Sequence, residues 1–220
     1  NLSTGNCFIF DKSSIFRLPF ILLKTTIFLD MGYLKYGKAP NEFLVEQSQH
    51  FPKHATVLLP GDGEGRNSVW LAKQGFKVFS VDSSSIGIQK ALDLANAEGV
   101  SIQAELADLA EWSPTANMTD AVVLTYLHLC PSLRSSIHSK ISKALKTNGI
   151  LVLEAFHPKQ LGYNSGGPKD ESMLYSLENI RADFGNAFKE ILGCECQILL
   201  NEGPGHQGPA FVTRWVGKKL

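Results

Sequence analysis

Charge of either sign is what this sequence has no surplus of: 21 Lys and Arg are matched by 21 Asp and Glu across 220 residues. A face that tracks a phosphate backbone needs an excess of cations, so a nucleic-acid partner is not expected. Cysteine is scarce too. Cys7, Cys130, Cys194 and Cys196 fit no zinc spacing and are too few to staple so long a chain, which suits reduced thiols in a cytoplasmic protein. Positions 194 and 196 would share one face of a strand. A membrane-spanning run is also lacking. The stretch that comes nearest, Ile15 to Leu29, is broken by Arg17, Pro19 and Lys24 and closed by Asp30, short of the about 20 apolar residues a span needs. It has neither the clean apolar core nor the small-residue cleavage site of a signal peptide. Residues 1–32 are expected to form an appendage packed on the domain that follows, with a cryptic targeting segment or a start-site oddity as the alternatives. Internal repeats and low-complexity tracts are missing as well.

What is present is enough apolar sequence, 44% of 220 residues, for one large α/β domain over residues 33–220. Its most informative stretch is Val57 to Ala72. There the run Val57-Leu58-Leu59 breaks into Pro60-Gly61-Asp62-Gly63-Glu64-Gly65-Arg66-Asn67 and resumes as Val69-Trp70-Leu71-Ala72, reading as strand, glycine turn and helix start. Glycines at 61, 63 and 65 permit positive φ and let a ligand lie directly on the backbone. A dinucleotide-binding turn would carry its third glycine at position 66, where Arg66 stands. The turn is Gly-x-Gly-x-Gly instead, the form used by S-adenosylmethionine-dependent methyltransferases of the Rossmann-like class.

Beyond the turn, Gly75 ends the first helix and Lys77 to Val81 forms a second strand stopping at Asp82, completing a β-α-β unit. Ser84 or Ser85 caps a helix with Ile88, Ala91, Leu92 and Ala95 at helical spacing and Gly99 as its stop. Ser101 to Glu105 is a third strand. Asp120 to Thr125 is nearly all apolar, as expected of a central strand covered on both faces. Pro131 opens a helix expected to run to Asn148-Gly149, and Ile150 to Phe156 is the fifth strand. Tyr163 to Pro168 reads as a loop, and Leu174, Leu177 and Ile180 mark another short helix. Two last strand-like runs, Phe188 to Leu200 and Ala210 to Val216, are joined by Gly203-Pro204-Gly205-His206-Gln207-Gly208-Pro209. A parallel crossover needs a dozen or more residues, so these two must pair antiparallel. The expected fold is α/β, a Rossmann-like doubly wound, mostly parallel seven-stranded sheet with a C-terminal antiparallel hairpin.

From about Tyr33 onward the chain resembles the class I methyltransferases, in particular the branch of tellurite-resistance and thiopurine methyltransferase-like proteins. The resemblance is carried by Tyr36 to Leu44, by Gly63 to Ala72, and by Gly149 to Glu154 with the Gln160-Leu161-Gly162-Tyr163 loop. It implies a fold and a cofactor, S-adenosylmethionine. One departure stands out: where many relatives carry an acid for the methionine amino group at the end of the first strand, this chain has Leu59. Asp62, Glu64 or backbone carbonyls are left to take that amine.

The residues expected to hold the cofactor are Gly61, Asp62, Gly63, Gly65, Arg66, Asp82, Ser83, Asp108, Leu109 and Thr125. Asp82, seventeen positions beyond Gly65, ends a strand where a carboxylate can accept both ribose hydroxyls, or else caps the next helix. Asp108 resembles the acid that meets the adenine amino group, with an N-cap as the plain alternative. Arg66 either reaches a carboxylate of cofactor or substrate or caps a neighbouring loop. Trp70 reads as core. Thr125, Tyr126 and His128 follow the fourth strand, at the carboxyl edge where open α/β sheets bind ligands. His128 is the candidate to touch the substrate, as general base for an amine or hydroxyl; a hydrogen-bonded structural histidine fits the same place. His157 and His206 stand behind it by the same argument. Tyr33 and Tyr36 are a lid over the pocket or simple packing of the N-terminal arm. The expected reaction is methyl transfer to a small-molecule acceptor, with no membrane partner. A non-catalytic adenosyl-binding module is the alternative, while Arg66 and the terminal hairpin disfavour a nicotinamide-dependent oxidoreductase.

Overall fold

The computed structural model describes residues 34–220; the expected appendage over 1–32, Cys7 and Tyr33 lie outside the described residues. Seven strands, β1 Thr56–Pro60, β2 Lys77–Asp82, β3 Gln103–Leu106, β4 Thr119–Thr125, β5 Leu145–Phe156, β6 Phe188–Asn201 and β7 Gln207–Lys219, form one sheet in the order β3-β2-β1-β4-β5-β7-β6. The first five run parallel. β7 is inserted antiparallel between β5 and β6, because the short turn Glu202 to His206 leaves no room for a crossover. Among the described residues the α-helices are α1 Glu42–Gln47, α2 Arg66–Lys73, α3 Ser85–Ala97, α4 Pro131–Ala144 and α5 Leu177–Phe184, with short 3-10 helices at Ser48–His50, Pro158–Gly162 and Glu171–Met173. Among the described residues no helix is long and apolar enough to cross a membrane.

The central strands show why the sheet is wound on both sides. Val57 and Leu59, Ala121 and Val123, and Ile150 and Val152 join one core cluster with Phe43, Leu44, Val69, Leu71 and Ala91 from α1, α2 and α3. The residues between them, Leu58, Val122, Leu124, Leu151 and Leu153, join the opposite cluster with Ile137 and Ile141 of α4 and Ile180 and Phe184 of α5. Period-two alternation thus supplies two apolar faces, each roofed by helices. Trp70 is half-buried and packs against the first cluster, as the sequence suggests.

Several boundaries differ from expectation: β7 runs Gln207–Lys219 rather than Ala210 to Val216, β5 begins at Leu145 rather than Ile150, and Leu174 is extended, ahead of the helix that starts at Leu177. β3 begins at Gln103 rather than Ser101. α4 ends at Ala144 rather than at Asn148-Gly149, because Leu145 turns extended (φ −76, ψ 135), is fully buried and pairs with Thr119. Lys146 forms an ion pair with Asp120 at 2.7 Å, Asn148 takes φ +64, and pairing resumes at Ala121 with Ile150.

The glycine turn is fixed by close packing as well as by dihedrals. Gly65 has φ +86, and a Cβ there would stand 2.6 Å from Ala91 Cβ of α3. Gly65→Ala should therefore cost about 2 kcal/mol or more, the sum of left-handed strain and overpacking, read as a lowered urea midpoint. Gly75→Ala, at equal φ but in open space, should show the strain alone.

Candidate functional site

A cavity of about 670 Å³ opens at the carboxyl edge of β1, β2 and β4, within the size range of small-molecule sites. Every expected site residue lines it except Gly65: Gly61, Asp62, Gly63, Arg66, Asp82, Ser83, Asp108, Leu109, Thr125 and His128. Gly65 acts behind the wall, where it lets α2 start against α3.

The turn is tied to Asp82. One oxygen of that carboxylate accepts the Gly63 N–H at 2.8 Å and the other accepts the Ser84 N–H at 2.8 Å, which leaves lone pairs on each for further donors. Gly61 donates its N–H to Val81 O at 2.7 Å, and a Cβ at Gly63 (φ +65) would meet nothing within 4 Å. The surface over Gly63 is bare backbone that a flat ligand can approach.

Asp62 is the conspicuous group. Both carboxyl oxygens are buried without a hydrogen-bond partner, and the Ser68 hydroxyl donates instead to Gly65 O at 3.1 Å. Burial pushes the Asp62 carboxyl up to about 6, with the charge of Asp82 adding to the rise and Ser68 and Arg66 offsetting part of it. Glu64, the other acid left open for an amine, is committed: it pairs with Lys90 at 2.8 Å and accepts the Lys35 N–H at 2.8 Å. A buried carboxylate lacking partners calls for a cation with hydrogens to donate. Of the two acids left open for the amine, Asp62 is thus the one whose oxygens have no partner, and the residues fit an adenosyl cofactor with an ammonium group.

The other expected residues divide. Asp108 lines the cavity and also caps the following turn by accepting the Ala110 N–H at 2.9 Å. The carboxylate that Arg66 reaches is Glu202 of this chain, at 2.8 Å with both side chains buried. His128 is in the cavity wall, but both ring nitrogens are engaged by backbone: Nδ1 donates to Met173 O at 2.7 Å and Nε2 accepts the Phe156 N–H at 3.2 Å. Burial pushes its pKa down to about 4, with the Met173 carbonyl opposing and His206 adding to the fall, so it is neutral with no free lone pair. Tyr36 lines the cavity with its ring 4.5 Å from that of His206.

A buried polar network behind this wall was not legible as a site. Asn41 donates to Glu154 at 2.6 Å and to Glu202 at 3.0 Å. Tyr126 donates its hydroxyl to Glu154 at 2.6 Å, and Arg214 pairs with the second Glu154 oxygen. Tyr126 holds φ +53, a strained conformation of the kind found at functional sites. The one available signal was Glu154 itself, an acid inside the apolar run Ile150 to Phe156.

With this geometry in view, the family comparison identifies the segment that carries the glycine turn. Residues 57–149 match the family model of a methyltransferase domain. No curated protein matches the chain by sequence. Among solved structures, TehB from Haemophilus influenzae is similar with a TM-score of 0.68 at 19% identity, covering 84% of this chain and 64% of its own. A SAM-dependent methyltransferase from Methanosarcina mazei gives 0.67 at 16% identity, covering 82% and 99%. The N-methyltransferase NodS from Bradyrhizobium japonicum gives 0.59 at 15%, covering 91% and 97%. The methyltransferase fold extends over the whole described sheet, since β7 lies between β5 and β6 as the terminal hairpin requires.

Proposed function

We propose that this protein is an S-adenosylmethionine-dependent methyltransferase acting on a small molecule in the cytoplasm, of the tellurite-resistance and thiopurine methyltransferase-like branch. The observation that carries the reading is the unpartnered buried carboxylate of Asp62 on a bare glycine turn, within the segment that matches a methyltransferase domain. The cofactor supplies an electrophilic methyl on a sulfonium. Asp62 takes the methionine ammonium, Asp82 the ribose hydroxyls, and Asp108 the adenine edge. Because the transferring sulfonium loses its charge, the protein's main tasks are alignment and exclusion of water. Tyr126 and Phe156, stacked with ring centres 4.6 Å apart, supply an apolar wall for the acceptor. The small-molecule acceptor is supported by the cavity's size and the chain's balanced charge, and the cytoplasm by the scarcity of cysteine, four in 220 residues.

Calorimetric titration with S-adenosylmethionine and S-adenosylhomocysteine tests the reading. Micromolar binding is expected, weakened about tenfold or more by Asp82→Ala, which corresponds to about 1.4 kcal/mol; no heat with either ligand overturns it. Turnover with any acceptor then separates an enzyme from a non-catalytic adenosyl-binding module.

A further inference from the structure

We propose that His206, oriented by Glu202, is the proton acceptor of this site, and that the acceptor substrate is therefore a ring-borne hydroxyl compound that keeps its proton at neutral pH. The inference rests on the methyl-transfer reading and assigns the base to the terminal hairpin rather than to His128.

Glu202 and His206 flank the turn between β6 and β7. His206 Nδ1 lies 3.3 Å from Glu202 Oε2, and since a carboxylate only accepts, Nδ1 carries the hydrogen and Nε2 the lone pair. Among the described residues Nε2 has no hydrogen-bond partner, in contrast to both nitrogens of His128, and His206 lines the cavity. Glycines keep the imidazole edge clear. A Cβ at Gly166 would stand 2.6 Å from His206 Cδ2 and 3.2 Å from Nε2, and one at Gly205 would stand 2.8 Å from the Tyr36 ring. The rings of Tyr36, Tyr126 and Phe156 lie 4.5, 4.7 and 5.2 Å from that of His206, a setting for a planar guest.

The charges facing His206 are balanced within the protein. From its own turn comes Glu202, which is paired to Arg66 of α2 and held by Asn41. From the segment before α1 come Tyr36 and Lys35, whose ammonium lies 5.2 Å from the Tyr36 ring centre. From the end of β4 come Tyr126, spent on Glu154, and neutral His128. A carboxylate-oriented imidazole with a free lone pair is the arrangement of a general base. A thiol needs no such help, whereas a hydroxyl near the tyrosine pKa of about 10 does. As the oxygen forms its bond to the methyl carbon, the carbon–sulfur bond breaks with its electron pair going to sulfur. The hydroxyl proton passes to His206 Nε2, and Glu202 stabilises the imidazolium until solvent takes the proton.

Phenol and thiophenol, offered with S-adenosylmethionine in mild base where the thiol is already a thiolate, separate a base from a packing residue. His206→Asn keeps a donor for Glu202 but offers no basic nitrogen. It should slow phenol methylation about 100-fold or more, change thiophenol methylation less than threefold, and abolish the acid limb of kcat/KM seen with phenol. In His206→Ala, added imidazole should restore phenol turnover in part. Equal losses on both acceptors, an unchanged acid limb, or a wild type that binds S-adenosylhomocysteine yet methylates neither compound overturns the assignment. Absence of S-adenosylhomocysteine binding overturns the methyltransferase reading with it.

Discussion

Asp62→Asn should make the protein more stable and weaken its binding of S-adenosylmethionine. In the folded protein the Asp62 carboxyl titrates at about 6, against an ordinary value of 3.8, because its oxygens are buried without partners. Below pH 4 the group is protonated in folded and unfolded chains alike and contributes nothing. As pH rises from about 4 to 6 the unfolded chain releases its proton and the folded chain does not, so stability falls; above 6 the full cost, about 3 kcal/mol, is present. Asparagine removes it. Urea midpoints at pH 7.5 should therefore be higher for the variant by up to that amount, and the two proteins should converge at pH 4. Affinity for S-adenosylmethionine should move the other way, falling about 100-fold, in line with a lost charge-assisted contact. In the wild type that affinity should weaken as pH drops through 6, and in the variant it should be flat. Unchanged midpoints together with retained affinity would assign the amine to another group.

Arg66→Ala should be among the most destabilising single changes, by about 3 kcal/mol or more, because it strips the cation from a buried pair and leaves Glu202 charged in a dry site. Burial works to raise the Glu202 pKa, but the His206 hydrogen bond, the Arg66 charge and Asn41 outweigh it and hold it down to about 2. A carboxyl depressed in this way stabilises the fold above its unfolded value of about 4.5 and loses that contribution as pH falls through 2, a term of about 3 kcal/mol in the wild type. Urea melts at pH 7 and pH 3 should show Arg66→Ala losing most at pH 7 and approaching the wild type at the lower pH. Replacing both partners with Arg66→Met and Glu202→Met should restore part of the loss. A single variant as stable as the wild type would show that Asn41 and His206 suffice for Glu202.

Sequence alone determined the sheet, its double winding and the terminal hairpin. Continuous apolar runs in Val57 to Leu59 and Asp120 to Thr125, helical spacing in Ile88 to Ala95, and a connection too short for a crossover are local signals with one physical solution. It also marked much of the cavity lining, because Gly61, Gly63, Asp82, Ser83 and Asp108 sit on strand ends and turns whose positions follow from the fold. It left the α4 boundary wrong, since burial and pairing of Leu145 against Thr119 overrode the Asn148-Gly149 stop signal.

Only the tertiary structure decided among side chains that read alike in sequence. Asp62 and Glu64 are two positions apart, yet the Lys90 ion pair and the Lys35 N–H engage one, while both oxygens of the other are buried without a hydrogen-bond partner. His128 and His206 both follow strand ends, yet the Met173 carbonyl and the Phe156 N–H occupy the first while Glu202 orients the second. Arg66 finds its carboxylate 136 positions away. Whether a group is free or spent depends on partners brought together by long-range pairing, and no local periodicity carries that information.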